Sequence, residues 1–161
     1  MHQQEMTVKQ FGSSAQYYLA SAVHAAGADL ERLAALVRNQ PAVRALDLGC
    51  GAGHAAYALA RGGARRVVAY DPSQEMLSVV AEQASTRGHE ALETVVGAAE
   101  RLPFDAGSFD LVVTRYSAHH WSHVPRALEE CARVTAAGGR LIVIDVVAPE
   151  SPLLDTCLQV I

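Results

Sequence analysis

The sequence has few cysteines and no long apolar run, and both absences narrow its class. Its three cysteines, Cys50, Cys131 and Cys157, form no close pair, so neither a disulfide framework nor a zinc site is supported. No apolar stretch approaches the length that spans a bilayer. The polar first ten residues lack the basic start and apolar core of a secretory signal. We therefore expect a cytoplasmic protein without a membrane span.

The chain also lacks an excess of basic residues. Its 13 Lys and Arg are outnumbered by 17 Asp and Glu, which gives a formal net charge of −4. A chain with this net negative charge shows no excess of basic residues with which to bind nucleic acid or an anionic membrane, and we expect neither as a partner. No repeat or low-complexity segment interrupts the 161 residues, a length that suits one domain.

Glycine is concentrated in one segment, residues 42–54, which reads AVRALDLGCGAGH. The apolar residues before it predict a buried strand, residues 49–53 a tight turn and residues 54–61 a helix. Glycine lets backbone amides approach a ligand where a Cβ would collide, and the helix N-terminus adds unpaired N–H groups. This pattern is typical of a nucleotide-cofactor loop.

The spacing of the glycines indicates the charge of the ligand. The dinucleotide fingerprint Gly-x-Gly-x-x-Gly is not met, because His54 stands where the third glycine belongs. Asp47 lies two residues before Gly49. A carboxylate there repels a pyrophosphate and favours an ammonium or a sulfonium. An NAD-type oxidoreductase is thus disfavoured, and it remains as an alternative.

The segment from Asp47 to Gly53 resembles motif I of the class I S-adenosylmethionine (SAM) dependent methyltransferases. From Phe11 to Asp145 the chain resembles the ubiquinone/menaquinone biosynthesis methyltransferases. The resemblance implies an α/β fold with a Rossmann-like, doubly wound, mostly parallel sheet of order 3-2-1-4-5. It also implies transfer of a methyl group from SAM to a small-molecule acceptor, with S-adenosylhomocysteine (SAH) as product. A SAM-binding domain without turnover is the second alternative.

Apolar periodicity and turn residues predict the other elements in alternating order. We expect helices at 11–26, 29–39, 73–88 and 124–134, and strands at 65–71, 93–97, 109–114 and 140–147. In the last helix Leu128, Cys131 and Val134 are predicted to face inward. Residues 136–139 are predicted to form a turn.

We treat the chain as a single domain with cap helices at 1–40, a core at 41–147 and the start of a further helix at 148–161. A complete fold of this family adds a helix and an antiparallel hairpin, so we expect its C-terminal strands to be absent from this chain. The fifth strand would then be an edge rich in Ile and Val. Because such an edge invites pairing with another chain, we expect a homodimer through it.

Asp71 is the candidate ribose ligand. It ends the second predicted strand, where a carboxylate can accept hydrogen bonds from a ribose diol in any adenosine cofactor. The resemblance adds Pro72 and Met76, with the Met76 side chain against the adenine ring, although core packing suits Met76 equally. A thioether against a flat ring is favourable.

Residues 98–104, AAERLPF, resemble the family segment Asp-Ala-Glu-x-Leu-Pro-Phe, whose acid hydrogen-bonds the adenine amino group. Ala98 replaces that acid here, so one polar adenine contact is lost or supplied elsewhere, whereas the backbone contact through Ala99 is retained. Tyr18 lies on the N-terminal helix, for which a lid over the pocket and core packing are both open. The predicted cofactor-binding residues are Asp47, Gly49, Cys50, Gly51, Gly53, Asp71, Pro72, Met76, Ala98, Ala99, Glu100, Arg115 and Tyr18.

Residues 115–121, RYSAHHW, follow the fourth predicted strand and therefore belong to the ligand crevice. Three interpretations of the adjacent His119 and His120 are open. They could bind a metal, although no third ligand stands at useful spacing and we expect none. One could be a general base toward the methyl acceptor. One could instead pack beside Trp121 and orient the loop.

Overall fold

Helices and strands alternate through the part of the chain that the structure, a computed structural model, describes: residues 26–40 and 42–146. In chain order the elements are α1 (Ala28–Arg38), β1 (Arg44–Leu48), α2 (His54–Arg61), β2 (Arg66–Asp71), α3 (Gln74–Thr86), β3 (Leu92–Val96), β4 (Phe109–Arg115), a 3₁₀ turn (Ala118–His120), α4 (Val124–Val134) and β5 (Thr135–Ile144). The alternation is that of parallel βαβ units.

The five strands form one parallel sheet in the order β3-β2-β1-β4-β5. Strand β1 is central, with β2 and β4 beside it, and the chain reverses its direction of winding between them. The Rossmann-like α/β fold and the strand order expected from the sequence are confirmed. In such a sheet the point of reversal at the carboxyl ends of the strands is where ligands bind.

Apolar side chains cover both faces of the sheet. On one face Ala45 belongs to the cluster that α1, α2 and α3 cover. On the other face Leu46 belongs to the cluster that includes α4 and residues 99–104. The two neighbours pack on opposite faces because successive side chains of a strand alternate. The sheet is therefore buried on both sides, which explains why its strands read as continuous apolar runs.

Two expectations about α4 and β5 are wrong. Leu128 is 39% exposed, and the buried face of α4 consists of Ala127, Glu130, Cys131 and Val134. The turn expected at 136–139 lies within β5, which begins at Thr135. There the pairing with β4 jumps from Phe109–Thr135 to Leu111–Arg140. The extra residues form an irregularity of the bulge kind inside the strand.

Other expectations concern parts of the chain outside the described residues. Residues 11–25 of the predicted N-terminal helix, with Tyr18, lie there, as does the segment 148–161. Over the described ranges, every helix is too short or too polar to cross a membrane.

Candidate functional site

A cavity opens at the carboxyl ends of the strands, where the winding of the sheet reverses. Its wall is formed by residues 47–52, 54–55, 70–73, 76, 97–99, 115–117 and 120–121. It therefore brings together segments that are far apart in the sequence: the glycine turn, the end of β2, the start of the loop after β3 and the loop after β4.

The glycine turn uses most of its amides to hold itself in place. The N–H groups of Gly49 and Cys50 donate to the carbonyl oxygen of Tyr70 on β2, at 2.8 and 3.1 Å, and Gly53 N–H donates to Cys50 O at 2.8 Å. Gly49 has φ +70°, and a Cβ on it would lie 1.8 Å from Ser117 Oγ. The turn thus contributes mainly its shape, whereas the sequence suggested that its amides would meet the ligand.

Two backbone amides orient the buried carboxylate of Asp71. Its Oδ2 accepts from Gly51 N–H and its Oδ1 from Ser73 N–H, both at 2.9 Å. Burial raises the pKa of Asp71, and these two hydrogen bonds oppose the rise. Because each carboxylate oxygen has a second lone pair, both remain able to accept from a diol. Asp71 is therefore a fixed acceptor at the edge of the cavity.

Asp47 lies beneath the glycine turn and is 1% exposed. Its Oδ2 accepts from Ala56 N–H, in the first turn of α2, at 2.8 Å. Its Oδ1 has no hydrogen-bond partner among the described residues. Burial raises the pKa of Asp47 to about 7; the Ala56 amide and Arg115 oppose the rise and Asp71 adds to it. A buried, unpaired carboxylate oxygen in a cavity wall favours a ligand atom with positive charge.

The loop after β3 is clamped to α4. Leu102 N–H donates to Glu130 Oε2 at 2.8 Å, and Arg133 donates to the carbonyl oxygens of Leu102 and Phe104 at 2.9 and 2.7 Å. Arg133, hydrogen-bonded to Glu130, lowers the pKa of that carboxyl to about 2. The sequence analysis missed this clamp, although a Glu and an Arg three residues apart on one helix face signal such a pair.

Only part of the predicted adenine segment lines the cavity. Ala98 and Ala99 do so beside Gly97, whereas Glu100 does not. Glu100 Oε1 accepts instead from His123 N–H at 3.1 Å. This hydrogen bond joins the loop after β3 to the loop after β4.

Arg115 lines the cavity at the end of β4 and is buried. Its Nε donates to Asp29 Oδ2 on α1 at 2.5 Å, and its guanidinium carbon lies 4.4 Å from the centre of the Tyr116 ring. Tyr116 has φ +54°, the left-handed region that side chains other than glycine rarely adopt. Backbone strain of this kind tends to occur at functional sites.

The two histidines differ in position. His120 lines the cavity, whereas His119 does not. His119 Nδ1 lies 2.6 Å from Asp145 Oδ1, and the two imidazole centres are 4.0 Å apart. Burial, helped by the neighbouring His119, lowers the pKa of His120, so its neutral form is favoured. Asp145, just after β5, contacts His119 from outside the cavity lining, and the sequence analysis did not assign it a role.

The remaining predicted residues fall into clear groups. Cys50, Pro72 and Met76 line the cavity, whereas Gly53 caps α2 behind it. Burial raises the pKa of the Cys50 thiol well above its usual value, which favours a packed side chain over a nucleophile. The cavity also contains Ser117 and Trp121, which the sequence analysis left without a ligand role. In the described ranges no cluster of three His, Cys, Asp or Glu could hold a metal.

Comparison with known proteins gives a consistent result. Residues 46–143 match the methyltransferase domain family. The uncharacterised methyltransferase YcgJ of Bacillus subtilis (strain 168) is 38% identical over 145 residues, 90% of this chain and 57% of that protein. The ubiquinone/menaquinone biosynthesis C-methyltransferase UbiE of Rhizobium johnstonii is 36% identical over 121 residues, 73% of this chain and 47% of that protein. The chain thus spans about half the length of these relatives.

Solved structures share the fold. The crystal structure of YcgJ superimposes with a TM-score of 0.70 at 37% identity, covering 79% of this chain and 56% of that one. The [4+2]-cyclase SpnF superimposes with a TM-score of 0.68 at 32% identity, covering 75% of this chain and 46% of that one. The fold therefore carries more than one named activity at this level of similarity.

Proposed function

The chain belongs to the methyltransferase domain family, and from that premise we propose that it binds SAM in the cavity at the end of the sheet and transfers the methyl group to a small organic acceptor. The observation that carries the proposal is the pair of buried acids in one cavity wall. Asp71 is oriented to accept hydrogen bonds from a ribose, and Asp47 has an unpaired oxygen suited to a cation.

The residues present fit such a ligand. A cationic adenosine compound satisfies both acids, whereas a pyrophosphate would be repelled by Asp47. Gly51, in the cavity wall, has φ +50°, a backbone conformation that favours glycine, and its N–H holds the carboxylate of Asp71. When bound, SAM supplies an activated methyl group on its sulfonium.

The residues of the protein then hold and orient the cofactor and the acceptor. We assign Asp71 to the ribose, Asp47 and the glycine turn to the methionine portion, and Met76 and Ala99 to the adenine. We assign Arg115 and the following loop to the methyl side. Holding the acceptor in line with the methyl converts a bimolecular displacement into a nearly unimolecular one.

His120 is our candidate base toward the acceptor, and His119 with Asp145 is the candidate group that positions it. His120 lines the cavity and favours its neutral form, which can accept a proton. The carboxylate of Asp145, close to His119 Nδ1, fixes the orientation of that imidazole. Packing of the loop around Trp121 remains the alternative role for both rings.

Isothermal titration calorimetry with SAM, SAH and NADH tests the proposed ligand. We expect SAM and SAH to bind with one-to-one stoichiometry and NADH to give no heat of binding. Binding of NADH alone would establish the oxidoreductase alternative and overturn the proposal.

A second candidate function is cofactor binding without methyl transfer. The support for this candidate is that SpnF, which shares the fold, is named as a [4+2]-cyclase. Incubation with methyl-labelled SAM and a small-molecule extract, supplemented with representative phenols, quinols, amines and carboxylic acids, separates the two. Labelled product that depends on the protein supports transfer. Tight SAM binding with no labelled product from phenols, quinols, amines or carboxylic acids supports the second candidate.

We also propose that β5 pairs with a second copy of the chain. It is the last strand of the sheet in the described ranges, and Leu141 and Val143 on it are 37% and 49% exposed. Light scattering should report a dimer at high concentration, and Val143→Lys should shift it toward monomer because charge on an edge opposes pairing. A monomer at all concentrations would contradict this. The cytoplasmic location remains a prediction.

A further inference from the structure

A buried polar atom that has no partner and belongs to a cavity wall is a candidate contact for a ligand. In the described ranges, four such side-chain atoms occur: Asp47 Oδ1, Tyr57 Oη, Thr114 Oγ1 and Trp121 Nε1. Asp47 and Trp121 line the cavity, whereas Tyr57 and Thr114 do not. A buried donor left unpaired costs about 1–3 kcal/mol. An indole N–H kept in that state in a cavity wall therefore needs an explanation.

The position of Trp121 identifies the part of the cavity that it serves. Its side chain packs against the apolar cluster on the α4 face of the sheet, to which Ala99 of the cavity wall also belongs. Two residues later, His123 N–H donates to Glu100 Oε1 and so fastens this loop to the loop after β3. The indole thus belongs to the side of the cavity that Ala98 and Ala99 form.

We propose that Trp121 Nε1–H donates a hydrogen bond to a ring nitrogen of the cofactor's adenine and so helps to select that base; this rests on the proposed function. An indole N–H can only donate. Its partner must therefore be an acceptor, which excludes the adenine amino group, the ammonium and the sulfonium. Ala98, in the same part of the wall, has no polar side chain. Trp121 is then the side chain that reads the base.

The test is a comparison of SAH with its 1-deaza, 3-deaza and 7-deaza analogues, in which one ring nitrogen is replaced by carbon. Calorimetry is run on the wild-type protein and on Trp121→Phe, which keeps an aromatic ring and removes the N–H. We expect Trp121→Phe to weaken SAH binding about 3- to 10-fold, the range of one lost hydrogen bond. On the wild type, the analogue that lacks the contacted nitrogen should bind more weakly than SAH by the same factor. On Trp121→Phe, that analogue and SAH should bind with equal affinity.

Tyr57→Phe is the matched control. It removes the polar atom of another buried aromatic residue that does not line the cavity, and it should bind SAH like the wild type. If Trp121→Phe failed to fold, the wild type would still provide a test, because equal affinity for SAH and all three analogues would refute the inference. Trp121 is the single tryptophan of the chain, so its fluorescence should change with SAH, and one analogue should bind several-fold more weakly.

Three outcomes would overturn the inference. Unchanged SAH affinity in Trp121→Phe would assign the N–H to the methyl acceptor or to no ligand. An equal loss for SAH and all analogues, without coupling, would mean that the indole contacts the ligand elsewhere than at a ring nitrogen of the base. Failure of SAH to bind the wild type at all would instead refute the proposed function, and this inference with it.

Discussion

The cavity has two walls built on different principles. The turn wall, residues 47–53 and 71–73, is held by hydrogen bonds from backbone amides: to Tyr70 O, to both oxygens of Asp71 and to Asp47. In the histidine wall, residues 115–121 with Asp145, backbone hydrogen bonds such as Tyr116 N–H to Ile144 O are joined by contacts between side chains, such as His119 with Asp145.

The difference teaches where each half of the function resides. A wall fixed by its own backbone has a shape that depends little on which side chains surround it, and it suits a ligand that is always the same. A wall that also depends on contacts between its own side chains can be altered residue by residue, and it suits the part of the site that receives the acceptor. We therefore expect cofactor affinity to depend on the turn wall and turnover on the histidine wall.

The largest effect on SAH affinity is expected for Asp71→Ala. The change removes the proposed ribose acceptor and leaves the amides of Gly51 and Ser73 without their partner. We expect binding to weaken by about 100-fold or more, since charged hydrogen bonds contribute about 1.5–3 kcal/mol each. Asp110→Ala, an acid paired with Arg44 outside the cavity lining, is the control and should bind normally. A loss under threefold in Asp71→Ala would contradict the assignment.

Gly49→Ala should follow, with SAH binding about 10- to 30-fold weaker, because overpacking costs about 1–3 kcal/mol. The new Cβ would meet Ser117 Oγ and force the turn wall away from the histidine wall. Gly63→Ala is the matched control, since Gly63 also has a positive φ, +92°, but open space around it. The double variant Gly49→Ala/Ser117→Gly should recover part of the affinity, and no recovery would exclude the clash as the cause.

SAM affinity should rise with pH through the pKa of Asp47, about 7. Below that pKa the carboxyl is protonated in the free protein, and its ionised form is the one that attracts a cation. Binding should be about 10-fold weaker at pH 6 than at pH 8, one decade for each pH unit below the pKa. Titrations of Asp47→Asn should show no such slope. A slope that persists in this variant would assign it to another group.

Glu130→Gln should weaken SAH binding only a few-fold, because it loosens the clamp behind Ala98 and Ala99 without touching the ligand. In the wild type, the pKa of the Glu130 carboxyl, about 2, lies below that of an unfolded Glu. The ionised carboxylate therefore contributes fully to the free energy of unfolding above about pH 4.5, and this contribution is lost as pH falls toward 2. Denaturant unfolding at pH 7 and pH 3 should show a smaller difference in the variant. Equal differences would contradict the clamp.

The smallest effect on SAH affinity, under twofold, is expected for His119→Ala and His120→Ala. Neither ring is assigned a contact with the cofactor. General-base catalysis, in contrast, contributes about 100- to 10,000-fold to the rate of the chemical step. Methyl transfer to an identified acceptor should therefore fall steeply in His120→Ala. Loss of SAH binding in the histidine variants, with normal binding by Asp71→Ala, would reverse the roles of the two walls.

Local patterns were sufficient to locate the glycine turn, Asp71 and most of the strands. The run ending at Leu48, the glycines after it and the acid of Asp71 each lie within a few residues of the feature that they predict, and the bounds of α4 follow from its helical period. The strand order came from the resemblance to a family, since periodicity alone does not fix it.

The features that the sequence analysis missed depend on contacts between residues that are far apart in the sequence. Leu128 was expected to face inward, but the buried face of α4 contains Glu130, whose carboxylate accepts from Leu102 N–H, far away in the sequence. Likewise, the pairing of Asp145 with His119 joins residues that no local pattern relates. The register shift in β5 depends on its pairing with β4, and it appears only in the assembled sheet.

The hydrogen bond from Gly51 N–H to Asp71 Oδ2 makes the loop and the acid one preorganised unit before any cofactor arrives. The conformational entropy of ordering the turn is then lost during folding and not during association, which favours affinity. Deuterium should therefore exchange slowly at the Gly51 amide in the free protein, and adding SAH should change that rate little.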